Sequence, residues 1–371
     1  MTPIRNAETV LSVFERAGYA RIEPSILQPA DIFLDLSGEE IRHRLFVTSD
    51  SEGRELALRP EFTIPVAIDY LASSDAGKAK NFCYSGPIFR VRQGEADEFV
   101  QSGIESFGRQ DREATDAEIL ARAYEAVAET GETKIDIKLG DMGLFSALLG
   151  ALGLQPVWQR RLKRAFAKGL LDAATLSSMA DTAPEAMKHA GLLNALEGQD
   201  PKAARAFVED LLQIAGISTV GGRSAGEIAE RFLAQASNAT EGALPNEALR
   251  VLECYSAIEG DPDTASVALR KLVDDAELDL GFALDAFETR AGFIEARGVP
   301  LNAISFSARF GRNLDYYTGA VFEFRRSGDA NGRPLVGGGR YDRLLQTLGA
   351  ASPVPAVGCA VFIDRLSGGA A

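Results

Sequence analysis

The chain has 371 residues, 46% of them hydrophobic and 25% charged, with a formal net charge of -14. That length allows two to three domains' worth of core, and the composition is ordinary for a soluble globular protein. The negative field opposes nucleic acid, whose affinity rests on Lys and Arg neutralising phosphates. Three cysteines, Cys83, Cys254 and Cys359, lie far apart without C-x-x-C spacing, and the two histidines, His43 and His189, have no ligand-spaced partner. A disulfide framework, a zinc site, any other metal site and a histidine-based triad are therefore not expected, and a reduced, cytoplasmic setting fits. The first residues lack the apolar core of a signal peptide, and no run of about 18 apolar residues occurs, so no membrane span is expected.

Residues 6–17 read as an amphipathic helix with Val10, Val13, Phe14 and Ala17 on one face and Gly18 as its stop. A strand-like segment over 21–27 is interrupted by Pro24. Segments 45–48 and 55–58 predict a hairpin turned at 50–53, and Arg59-Pro-Glu-Phe-Thr63 leads into a helix over 64–71. Residues 89–108 predict two strands joined by a short polar loop. Thr115-Asp-Ala-Glu118 has the form of a capping box. It opens a helix with Ile119, Ala123 and Val127 on one face, ended by Gly131. Lys134–Leu139 alternates as a strand. From 151 to 297 strand signals are scarce and the texture is helical, broken by Gly216, Gly221-Gly222 and Pro262. The basic run Arg160-Arg161-Leu-Lys163-Arg164 reads as a solvated helix face. Strand patterns return at 304–306 and 320–324, followed by the cluster Gly337-Gly-Gly-Arg340 and a helix over 341–348. The order predicts one α+β core from 1–150 and 298–371, with 151–297 as a mainly helical insertion.

The segment 89–108 carries the chemistry. Arg90 closes the first strand, and Gln101 and Glu105 share one face of the second, roughly 13 Å apart along the chain. Long side chains so placed can converge on opposite ends of one small polar ligand; a buried polar network without ligand is the alternative. The loop between the strands holds Glu95, Asp97 and Glu98, which would repel a phosphate.

Leu58-Arg-Pro-Glu-Phe-Thr63, the 89–108 segment, Arg312-Asn-Leu-Asp-Tyr-Tyr317, Gly337-Gly-Gly-Arg-Tyr-Asp342 and the 355–365 run stand in the order found in histidyl-tRNA synthetases. The resemblance covers nearly the whole chain. It implies a class II synthetase-like antiparallel sheet flanked by helices, and a dimer with the Pro24 region near the subunit interface. It implies a histidine pocket in which Glu61, Thr63 and Gln101 hold the ammonium. Arg90 stands for the motif 2 arginine, Arg312 faces the carboxylate, Glu105 and Tyr317 read the imidazole, and Tyr316 lines the wall. A carboxylate for the ammonium, an arginine fork for the carboxylate and a Glu/Tyr pair for the ring is also what histidine's own groups demand.

Departures from the synthetase pattern point away from adenylation. The position that contacts adenine is Arg92, the loop after it is acidic, and Phe362 stands where a glycine is usual. Arg365 keeps the motif 3 arginine, with Asp364 beside it. No counterpart of the anticodon-binding domain follows, so no tRNA partner is expected. This combination resembles the regulatory subunits of ATP phosphoribosyltransferase. Such a resemblance implies a non-catalytic chain that assembles with a short catalytic subunit in the first step of histidine biosynthesis. It also implies feedback inhibition with L-histidine as effector, and no cofactor. Two alternatives remain: an enzyme activating histidine with ATP for a non-tRNA acceptor, and a histidine-binding module serving some other enzyme.

Overall fold

The computed structural model describes residues 3–34, 43–181, 219–220, 223–224, 244–312, 316–329 and 332–366. Contacts divide the chain into two units. The first comprises Met1–Leu154, Leu162–Leu171 and Cys254–Ala371; the second comprises Gln155–Arg161 and Asp172–Glu253.

The first unit is built on a nine-stranded sheet. Its strands are β1 (Ala20–Arg21), β5 (Lys80–Phe89), β6 (Glu98–Phe107), β7 (Ile135–Asp141), β10 (Glu259–Gly260), β11 (Ile304–Ser307), β12 (Ala320–Arg326), β13 (Val336–Arg340) and β14 (Ala356–Phe362). Their spatial order is β1-β5-β6-β14-β13-β12-β7-β11-β10. All neighbours are antiparallel except β1 with β5 and β7 with β11. A second sheet joins β2 (Leu27–Pro29), β4 (Glu55–Leu58) and β3 (Val47–Ser49), so the segment around Pro24 splits between two sheets instead of forming one strand. The turn after β3 forms as expected: Asp50 Oδ1 accepts from the amides of Glu52 and Arg54, and Gly53 takes φ +81°.

Helices α1 (Pro3–Arg16), α2 (Thr63–Ala72) and α3 (Arg112–Glu129) follow the predicted positions closely, and α4 (Met142–Ala151) is a further helix that the sequence pattern did not indicate. The capping box does not form. Helix α3 begins three residues earlier than Thr115, because Thr115 Oγ1 bonds back to the Asp111 carbonyl at 2.7 Å, inside the first turn. Glu118 is spent instead on Arg109 at 2.9 Å and on the Tyr19 hydroxyl at 3.0 Å.

The helix-rich stretch contains α5 (Pro156–Ala167), α6 (Ala173–Asp181), α7 (Asn246–Ser256), α8 (Pro262–Asp275) and α9 (Ala283–Ala296). Pro262 opens α8 at its first turn, capped by the Asp261 carboxylate, where a missing N–H costs nothing. Residues 254–297 group with the sheet, whereas the sequence pattern assigned them to the insertion. The reason is β10, which extends the sheet edge, and Arg290 of α9, which pairs with Asp116 of α3 at 2.9 Å. In the second unit β8 (Thr219–Val220) and β9 (Arg223–Ser224) form a short antiparallel pair. The expected breakers Gly216 and Gly221-Gly222, like His189, lie outside the described residues. No described helix is long and apolar enough to cross a membrane.

The glycine cluster at 337–339, to which the sequence pattern assigned no element, is the middle of β13, buried along its whole length between β12 and β14. The helix expected over 341–348 shortens to α10 (Leu344–Thr347). Close approach of backbones explains other glycines. A Cβ on Gly140 of β7 would lie 2.0 Å from the Phe310 carbonyl oxygen. Since a backbone atom cannot yield as a side chain can, Gly140→Ala is expected to lower stability by about 2–4 kcal/mol. Thermal unfolding of the variant checks this, and an unchanged midpoint would contradict the packing described.

Candidate functional site

One pocket, about 620 Å³ counted to its open mouth, lies on the face of the sheet formed by β6, β14 and β13. Of the eight expected residues, Glu61, Thr63, Arg90, Gln101, Arg312, Tyr316 and Tyr317 line it. Glu105 lies beneath, with no solvent contact. Asn313, Leu314 and Asp315 of the same motif lie outside the described residues.

Local structure places each group. Glu61 stands just before α2 and accepts from the helix amides of Thr63 and Ile64 at 2.7 and 2.8 Å. It thereby satisfies two of the first-turn donors and neutralises the positive end of the helix. Burial raises its pKa, against those two amides, which lower it. The Thr63 hydroxyl donates to Glu105 Oε1 at 2.8 Å, leaving its lone pairs as acceptors. Gln101 is 3% exposed and its Oε1 is buried without a partner.

Arginines supply the opposite polarity. The Nε atoms of Arg90 and Arg312 are both buried without an acceptor. Burial, then the nearby charge of Arg44, lowers the Arg90 guanidinium to about 10, so it stays charged at neutral pH. Arg312 reaches Glu323 at 3.5 Å and the Phe322 carbonyl at 3.4 Å. It lies directly over β13, where a Cβ on Gly337 would meet its guanidinium at 2.1 Å.

Glu105 is the deepest group. Besides Thr63, it receives the hydroxyls of Tyr341 and, at 3.3 Å, Tyr84. A Cβ on Gly358 would fall 1.6 Å from Glu105 Oε2, so that glycine makes the space for the carboxyl. Burial pushes Glu105 up to about 8 despite the three hydroxyls, so it holds a proton at neutral pH. The Tyr84 hydroxyl, which also lies 3.4 Å from the Cys359 carbonyl, can turn to donate there and accept that proton. Tyr317, expected to read the imidazole together with Glu105, lines the pocket and hydrogen-bonds to the Arg312 side chain; the tyrosine hydroxyl on Glu105 is that of Tyr341. Neither Tyr84 nor Tyr341 was singled out from sequence. A tyrosine directly after the glycine cluster was a signal for the second; the first becomes visible only once register sets Tyr84 opposite Gly103.

The acidic loop behaves differently from its expectation. Glu95 is no bare repelling charge: its carboxylate is shared by Arg92 at 2.7 Å, Arg333 at 2.6 Å and Arg365 at 3.2 Å. The Arg92 and Glu95 side chains are only 6% and 15% exposed. Arg92 stacks over Phe99 at 3.4 Å, Phe99 stacks with Phe362, and Arg365 covers Phe362 at 4.3 Å. Asp97 closes the loop by accepting from the Arg92 and Arg90 amides, and Glu98 stays exposed. Among the described residues no group of His, Cys, Asp and Glu is placed to hold a metal ion.

A histidyl-tRNA synthetase family model matches residues 4–220 and 206–366. A protein of Mesorhizobium japonicum named ATP phosphoribosyltransferase regulatory subunit is 40% identical over 361 residues, 97% of this chain and 96% of its own. One of Brucella canis with the same name is 40% identical over 351 residues, 93% of this chain and 92% of its own. The crystal structure of an ATP phosphoribosyltransferase regulatory subunit/histidyl-tRNA synthetase from Bacillus halodurans aligns with a TM-score of 0.67 at 21% identity. That alignment covers 98% of this chain and 78% of the other, and supports the class II synthetase-like fold. The chain belongs to the family of ATP phosphoribosyltransferase regulatory subunits, within the wider histidyl-tRNA synthetase family.

Proposed function

We propose that this chain is a non-catalytic regulatory subunit that binds L-histidine and works with a short ATP phosphoribosyltransferase catalytic subunit in the first step of histidine biosynthesis. The observation that carries the reading is the set of unpartnered polar atoms at the pocket. Gln101 Oε1 lacks a donor, while Arg90 Nε and Arg312 Nε lack acceptors. Each such atom costs about 1–3 kcal/mol when left buried and unpaired. An α-amino acid supplies both missing halves. Its ammonium meets Glu61, Thr63 Oγ1 and Gln101 Oε1; its carboxylate meets the two arginines. The imidazole then faces Glu105 and Tyr317, with Tyr316 against it.

The loop contacts favour a sensor over a histidine-activating enzyme. Arg92 and Arg365, the cations nearest a nucleotide's place in the family, both pair with Glu95, leaving only Arg365 Nε without an acceptor, and Phe99 and Phe362 fill the space between them. The loop excludes a triphosphate by occupancy more than by repulsion. Self-association as a dimer through the small sheet is part of the proposal, supported by exposed Ile26, Leu27 and Val47. Histidine would act by binding one state of the assembly more tightly than the other.

Calorimetry is expected to detect histidine binding. Gln101→Leu should weaken it roughly 10- to 100-fold, the worth of one charge-assisted hydrogen bond. Adding the chain to a short catalytic subunit should raise turnover, histidine should reverse the gain, and histidine-dependent ATP–pyrophosphate exchange should be absent. No gain in turnover, or robust exchange, overturns the reading. Glu105 gives a ligand-independent check. Its folded pKa of about 8 lies above the ordinary carboxylate range, so the folded chain binds the proton more tightly than the unfolded chain. Its contribution is therefore fully present at low pH and is lost as pH rises through about 8. Glu105→Gln cannot lose that proton, so the wild-type melting temperature should fall relative to the variant's between pH 5 and pH 9. Parallel curves would remove Glu105 as the titrating group.

A further inference from the structure

Behind the pocket lies a second cluster of charge that ligand binding does not use. Arg340 ends β13; its Nε and Nη2 reach Asp116 Oδ1 of α3 at 2.8 and 2.7 Å. The other Asp116 oxygen accepts from Arg290 Nε of α9 at 2.9 Å, and Arg290 Nη1 reaches Asp141 at 2.7 Å. Exposure of these four residues is 3–6%. A buried pair of this kind is rigid while complete, and losing one partner leaves an uncompensated charge.

The cluster continues towards the ligand. Tyr341 sits between Arg340 and Asp342, whose side chains close on each other at 2.8 Å. The Tyr341 amide donates to the Ala356 carbonyl, and Asp342 Oδ1 accepts from the Ala356 amide at 2.9 Å. Thr318, next to Tyr317, donates its amide to the Arg340 carbonyl at 2.8 Å, and its hydroxyl accepts from the Asp342 amide at 3.0 Å. One clasp thus fixes the backbone of both tyrosine-bearing segments. The Tyr341 hydroxyl then donates to Glu105.

We propose that Asp116 and Arg290, outside the pocket, are positioning residues for it: they hold Arg340, Arg340 holds the segments of Tyr317 and Tyr341, and Tyr341 holds the Glu105 carboxyl. The proposal deepens the histidine-binding reading and rests on it for its affinity test. A brace with no bearing on the ligand would be the competing role, and a double-mutant cycle separates the two. Histidine affinity is measured by calorimetry for Asp116→Asn, Tyr341→Phe and the double variant. If Asp116 acts through Tyr341, each single change weakens binding by roughly 10-fold and the double is no worse than either. Wild-type affinity in Asp116→Asn, or losses that multiply to roughly 100-fold in the double, overturns the proposal. Should Asp116→Asn not fold, Arg290→Lys, which keeps the charge but cannot span Asp116 and Asp141, enters the same cycle. If the unaltered chain binds no histidine, it is the histidine-binding reading that has failed. The crystal structure of the folded variant without ligand then decides: Tyr341 withdrawn from Glu105 supports the positioning role, and Tyr341 unmoved overturns it.

Discussion

A carboxyl group without water contact sits on an interior strand of a nine-stranded sheet, and much of the site follows from accommodating it. Glu105 needs space, which Gly358 on the neighbouring strand provides, and it needs hydrogen-bond partners, which Thr63, Tyr84 and Tyr341 provide. Those partners come from a helix start, a second strand and the residue after a third. Fixing one carboxyl therefore fixes the relation of α2, β5 and the end of β13. The Arg340 clasp extends the same constraint to α3 and α9. Polar satisfaction in this core also works as a specification of geometry.

The pocket divides by polarity. One wall has acceptors short of donors, the other has donors short of acceptors, and the floor is a protonated acid at neutral pH. On the other side Glu95 takes three guanidinium groups and two aromatic rings lie between the cations, although Arg365 Nε and Asp364 Oδ1 stay buried without a partner. Open valence beside Gln101, Arg90 and Arg312, against ion pairs and packed rings around Glu95, supports a site that holds a small zwitterion.

The elements with clean periodicity were legible in sequence: α1, α2, β7 and the β5–β6 hairpin lie within a few residues of expectation, apart from an earlier start to β5. Seven of the eight expected ligand residues line one pocket because ordered motifs, more than local propensity, located them. Three things were not legible. Gly337–Gly339 carries no strand propensity; it is a strand because β12 and β14 pair with it on both sides, and a Cβ on Gly338 or Gly339 would lie 2.6 Å from the Gly358 or Ala320 carbonyl oxygen. Thr115 looked like a cap because capping and back-bonding use the same hydroxyl, and sequence does not say which carbonyl or amide is near. Glu95 looked repulsive because Arg333 and Arg365, more than two hundred residues away, are invisible to a local charge count.

The arrangement around Glu95 is doubly fastened. Arg365, which the sequence resemblance sets at a synthetase's motif 3 arginine, serves an intramolecular partner here. Replacing Glu95 alone would leave Phe362 packed against Phe99; replacing Phe362 alone would leave the carboxylate on its three arginines. Neither change opens the space without the other, so single-site variation at either position leaves it filled.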